Sequence, residues 1–174
     1  MNMSDKLHTR DQAELGFLMQ YFKEFELTAE LLKPSDELAM SALVLPLMQD
    51  HKQRDRFLTF SFIPLSEDET EHIRLLQMYA VIPAEWKEGA RPDVERMLHS
   101  INNRTAIGHF SVNDAGEISY RYVYSVSGAT ILPKHETIET VDLFCMTLDM
   151  FSEAITSVAD GSISLNEALR SIGQ

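Results

Sequence analysis

The sequence predicts an α+β fold: an antiparallel or mixed sheet of about five strands with helices packed on it, in the order α-β-β-β-α-β-β-α. Three observations point there. Residues 42–82 hold three strand-length apolar runs. Residues 106–126 read as a hairpin whose second strand places Tyr120, Tyr122 and Tyr124 at every second position. The stretches before, between and after these repeat apolar residues at helical spacing.

Met1 to Arg10 reads as a loose, flexible polar lead. Asp11 then caps a helix running through Phe25, with Glu14 three positions on as in a capping box and Leu15, Leu18, Phe22 and Phe25 at helical spacing. Leu27 to Leu38 is ambiguous, and Pro34 interrupts any helix there. The first strand, Ala42 to Leu47, carries Pro46. Proline has no N–H for a ladder, so this run reads as a strand end or a sheet edge. The second, Phe57 to Ile63, puts Leu58, Phe60 and Phe62 on one face. The third, Ile73 to Ile82, is apolar on both faces, as a strand covered on both sides would be. The intervening SEDETEH reads as a solvated acidic turn.

Pro92 opens the next helix, where its missing N–H does no harm, and Val94, Met97, Leu98 and Ile101 form one apolar stripe. Asn102 and Asn103 end it as residues that tolerate a left-handed cap. Asp114-Ala115-Gly116 suits a three-residue hairpin loop closed by Asn113 and Glu117. Val112 then faces Ile118, Phe110 faces Tyr120, Gly108 faces Tyr122 and Ala106 faces Tyr124. A change of one residue in loop length would move every ring to the other face. Two readings of the tyrosines fit, a core surface and an exposed platform; the register favours the core. A long helix follows from about Glu136 to Val158. Its stripe of Val141, Leu148, Phe151, Ile155 and Val158 has a second stripe of Leu143, Met146 and Met150 beside it. That arc is wider than one sheet face needs, so it serves either a dimer interface or deeper burial within the chain. Asp160-Gly161 breaks this helix, and Ser164 and Glu167 form a capping box for a short last one.

A chain of 174 residues fits a single domain and buries enough surface to need no disulfide or metal. Its formal net charge of −12 disfavours nucleic acid and anionic membranes, whose recognition rests on Lys and Arg. The single cysteine, Cys145, suits a reducing compartment. With no secretory signal pattern and no apolar run long enough to span a bilayer, the expected location is cytoplasmic.

The sequence holds no P-loop, dinucleotide glycine motif or nucleophile elbow. His135, Glu136 and Glu139 lack the second His of a zinc protease, and the acids favour the helix dipole instead. A calcium loop aligned on Gly116 would put Tyr122 where its bidentate glutamate belongs. Cys145 lies among Phe144, Met146 and Leu148, the surroundings of an inert thiol. No catalytic residue, metal or cofactor is therefore expected. From His135 to Leu169 there is no Lys or Arg, while seven residues are acidic: Glu136, Glu139, Asp142, Asp149, Glu153, Asp160 and Glu167. This is either a solvated helix face or an anionic surface that selects a basic partner.

The element order and the segment LHSINNRTAIGHFSVNDAGEISYRYVYSV resemble the YbjN-like family, which shares a fold with class I type III secretion chaperones. The pattern is a helix ending at Asn102 and Asn103, a small-residue strand from Ala106 to Val112, a turn from Asn113 to Gly116, and Tyr120-Arg121-Tyr122. The resemblance implies a small, acidic, dimeric protein that binds other proteins in regulation or chaperone-like holding. It brings no catalytic residue.

The expected function is a non-enzymatic protein-binding module, acting as a homodimer and holding a peptide by edge-strand addition and apolar grooves. Candidate partner contacts are Leu43, Leu45 and Leu47 on the proline-bearing strand, with Arg121 and Val123 on the semi-polar face of the tyrosine strand. Leu143, Met146 and Met150 are the candidate dimer contacts. A dedicated secretion chaperone is one alternative; a small-molecule-binding domain or an enzyme is another.

Overall fold

A computed structural model describes residues 3–36, 38–65 and 72–173. Its elements run α1 (Met3–Glu24), β1 (Glu30–Leu32), β2 (Ala42–Leu47), β3 (Arg56–Phe62), β4 (Ile73–Ile82), α2 (Arg91–Asn102), β5 (His109–Val112), β6 (Ile118–Ser127), α3 (Lys134–Ala159) and α4 (Leu165–Ser171). Among the described residues the strands pair in the order β1-β2-β3-β4-β6-β5, one six-stranded sheet in an α+β fold. The acidic turn expected before β4 falls, but for His72, outside the described residues.

Three elements differ from expectation, one of them β5, which begins at His109 rather than at Ala106, so Ala106 lies outside the strand expected to set it opposite Tyr124. The sheet gains β1, which lies in the ambiguous stretch and pairs antiparallel with β2 through Glu30↔Val44, Leu31↔Leu43 and Leu32↔Ala42. Three residues are too few to show an alternation, so only this pairing identifies the strand. The first helix begins at Met3 rather than at Asp11, so the expected loose lead is helical from there on. Residues 4–13 contain no Gly or Pro to stop it. Neither Asp11 nor Glu14 acts as a cap: Asp11 Oδ1 accepts from Arg74 Nη1 at 3.0 Å, and Glu14 is drawn into the interior.

By contact density the chain divides into two compact units. The first comprises Met1–Leu47, Phe57–Tyr79 and Val123–Thr140. Here α1 packs on β1 and β2. Leu15, Leu18 and Phe22 are buried, as the helical spacing requires, with the Phe22 ring 5.4 Å from that of Phe60 on β3. Glu14, only 2% exposed, cannot be buried as a lone charge and is not. Its Oε1 accepts from Arg74 Nη2 at 2.5 Å and Arg10 Nε at 3.1 Å, and its Oε2 from the Leu132 amide at 3.2 Å. Arg10 also donates to the carbonyls of Gly128 and Thr130, and the Arg74 guanidinium lies 4.5 Å over the Phe62 ring. One carboxylate thus fastens α1 to β4 and to the segment entering α3.

The second unit comprises Met48–Arg56, Ala80–Tyr122 and Val141–Gln174. The β5–β6 hairpin has the expected register: Phe110↔Tyr120 and Val112↔Ile118 are paired. Gly116 takes φ +84°, and the Asn113 amide donates to the Glu117 carbonyl across the loop. Tyr120 is fully buried. Its ring stacks on Phe110 at 4.3 Å and leans on Phe144 of α3 at 4.4 Å, while Phe151 meets Phe110 edge-on at 5.9 Å. The hydroxyl donates to the Ile107 carbonyl at 2.6 Å, and burial pushes its pKa up to about 12, which keeps it a neutral donor.

Gly108 is required beside that ring, although for a different tyrosine than expected. At φ +66° a Cβ there would lie 2.9 Å from the Tyr120 ring and 2.8 Å from the Arg121 carbonyl; the expected facing partner was Tyr122. The helix ends at Asn102 and Asn103 as expected, although Asn103 caps it in a right-handed conformation, φ −72°, rather than a left-handed one. The Asn102 amide brackets the β5 backbone, accepting from the Phe110 N–H at 2.8 Å and donating to its carbonyl at 2.9 Å. On this edge strand of the sheet a side chain occupies the place of a further strand. The Ser164–Glu167 capping box of α4 forms as expected, and α2 packs on β5 and α4.

Gly108→Ala should cost about 2 kcal/mol, because it adds left-handed strain to a clash with backbone and a buried ring. Urea unfolding at neutral pH measures it, with a lower midpoint and an unchanged slope expected.

Candidate binding surfaces

The proline-bearing strand is not a sheet edge. Between β1 and β3, β2 is paired on both sides, and Leu43 and Leu45 are buried. These two candidate contacts therefore belong to the core. Pro46 lies beyond the β1 register, which ends at Val44, so its missing N–H breaks no bond to β1. Leu47 beside it is half-buried.

Arg121 and Val123 occupy outward positions of β6, where Ile118, Tyr120 and Val126 point inward. Both are half-buried, as are Tyr122 and Tyr124 on the inward side. The same alternation places Phe57 and Ile73 outward on β3 and β4, against inward Leu58, Phe60, Leu76 and Met78. Phe57 and Ile73 are exposed. Both strands lie where the alternation predicts them, and the exposure of these two is legible from their place as odd members of alternations whose even members form the core.

The third set of candidates lies on α3. Leu143 is half-buried, whereas Met146 and Met150 are 55% and 61% exposed. Spacings of three and seven residues put all three on one side of the helix. Asp142, Asp149 and Glu153, all exposed, run along one flank of the methionines. Beyond Asp149 stands Arg56, 6% exposed, whose Nη1 pairs with Asp149 Oδ1 at 2.7 Å and whose Nε donates to the Met48 carbonyl at 2.9 Å. A second tie, Lys52 Nζ to Asp160 Oδ2 at 2.5 Å, fixes the same loop to the end of α3. Met48, 84% exposed, is thereby held beside the acidic flank. Sequence spacing does not mark it, because ties across 93 and 108 residues of chain, Arg56–Asp149 and Lys52–Asp160, bring it there.

Two other features bear on chemistry. Cys145 is half-buried, and burial, then Asp149 and Asp142, raise its thiol pKa to about 11. A small cavity of about 20 Å³ bordered by Asp11, Met40, Ser41, Phe62 and Pro64 holds about one water, too little for a substrate. Among the described residues no cluster of three metal-ligating side chains occurs, and no helix is long and apolar enough to cross a membrane.

Residues 50–157, more than half of the chain, match the model of the YbjN family, described as "Putative bacterial sensory transduction regulator". The matched span includes β3 through most of α3, and so both the aromatic hairpin and the methionine face. No curated protein matches the chain.

Cys145 should alkylate with iodoacetamide at pH 8 roughly 100-fold more slowly than a free thiol, because so little of it is thiolate. The rate should climb with pH toward 11. A fast reaction at neutral pH would contradict the electrostatics described for this helix.

Proposed function

We propose that this chain, which belongs to the YbjN family, is a non-enzymatic regulator that acts by binding other proteins and works as a homodimer. One observation carries the reading: large apolar side chains stand exposed on ordered elements, Phe57 and Ile73 on strands and Met146 and Met150 on a helix. Exposed apolar side chains mark candidate contact surfaces, and Met146 and Met150, one helical turn apart on α3, form such a pair. The family description, a regulator of sensory transduction, supports the same reading.

Charge divides the two surfaces between two tasks. A two-fold dimer brings the same patch of each copy together. On the α3 face that would set Asp142, Asp149 and Glu153 of one copy near those of the other, which opposes self-association. The outward positions of β3, β4 and β6, with Phe57, Ile73 and Val123, carry no such acidic row and suit a second copy better. The dimer contacts expected on α3 and the partner contacts expected on β6 thus exchange roles.

Light scattering at micromolar concentration should give twice the mass of one chain, and Phe57→Ser should return it to a single mass. A monomer at every concentration would remove the dimer from the proposal. For the regulatory reading, the intact chain used as bait in its native lysate should retain a defined protein, and none should be turned over as substrate.

A further inference from the structure

We propose that the exposed face of α3 bearing Met146 and Met150, together with Met48 beside the strip of Asp142, Asp149 and Glu153, docks a basic amphipathic helix of a partner protein. This deepens the protein-binding reading and rests on it.

The partner's chemistry follows from three properties of the face. First, its apolar groups are methionines. Their unbranched, polarizable side chains adapt to differently shaped apolar partners, whereas branched residues fit fewer. Second, Arg56 links the Met48 carbonyl to Asp149, so a ligand reaching from Met48 to the α3 methionines meets the acidic flank. A segment with leucines on one side and Lys or Arg at the margin satisfies both demands, as amphipathic helices do in apolar grooves. Third, no cation on the helix itself competes, since α3 has no Lys or Arg after Lys134. Arg56 is the cation placed at this strip, and it is buried and engaged with Asp149 and the Met48 carbonyl. Asp142 and Glu153 remain exposed to meet the ligand's charges. An acidic or purely apolar segment would leave these carboxylates desolvated and unmatched.

Calorimetry on the intact chain tests the surface with synthetic helical peptides of ~15 residues, long enough to form a helix. A Leu/Lys amphipathic peptide should bind, while its Leu/Glu counterpart and a Lys/Ser peptide of equal charge should bind at least about 10-fold more weakly. Met146→Gln with Met150→Gln should weaken the Leu/Lys peptide by about 10-fold or more. Both side chains are more than half exposed, so this variant keeps the fold. Asp142→Asn with Glu153→Gln should weaken binding several-fold and flatten its salt dependence. Leu/Lys binding that ignores the methionine pair, or no binding at low salt, would overturn the proposal. A change of oligomeric mass in the methionine variant would also overturn it, by giving the face to a second copy.

The lysate bait separates the two levels. A native partner retained equally by the wild-type chain and the methionine variant sinks the α3 surface and leaves the protein-binding reading intact. If neither retains a partner, that reading falls.

Discussion

The Tyr120 side chain sets the register on which the second unit is built. Its ring is enclosed by Phe110 and Phe144, and its hydroxyl reaches the Ile107 carbonyl. A slip of one residue between β5 and β6 would carry the ring to the outward face and leave that carbonyl without its donor. Gly108 is the matching concession in the backbone, a left-handed residue with no side chain where the ring lies. Because Phe144 and Phe151 meet the same stack, the rotation of α3 about its axis follows from the hairpin register. That rotation turns Val141, Leu148 and Ile155 inward and leaves Met146 and Met150 in water. The proposed docking face is thus a consequence of how one tyrosine is packed.

The parts of the fold that were legible in the sequence are those set by period and by local turn chemistry. β2 and β4 have the expected limits, the hairpin has its expected register, and the Ser164–Glu167 box caps α4. The departures share a cause. Glu14 reads locally as half of a capping box, yet its carboxylate serves Arg74 and the Leu132 amide, far along the chain. Asn102 and Asn103 do end α2, yet the Asn102 amide serves the Phe110 backbone rather than a left-handed cap. Each polar group has a limited number of hydrogen bonds, and a distant partner in good geometry displaces the local one that a motif assumes. β1 escaped notice for a different reason, being three residues whose identity as a strand comes from β2.

The candidate site was legible only in part. The second stripe of α3 pointed to Met146 and Met150 because its apolar arc exceeded what a single sheet face covers. The absence of cations along that helix pointed to the partner's sign. Met48 and Arg56 could not be read, since nothing local relates a strand-end methionine to a helix about a hundred residues later. Leu43 and Leu45 failed as contacts because Pro46 signalled an edge that holds only for the end of the strand past Val44.

Methyl spectroscopy on chain labelled at its methionines tests the central claim most directly, since core and surface methionines report from the same sample. Met78 and Met97 are fully buried, whereas Met48, Met146 and Met150 stand in solvent. On titration with the basic amphipathic peptide, the account predicts that the three surface methyls shift together, saturably, while the two core methyls hold still. Surface methyls that stay in place while other signals report binding would contradict it.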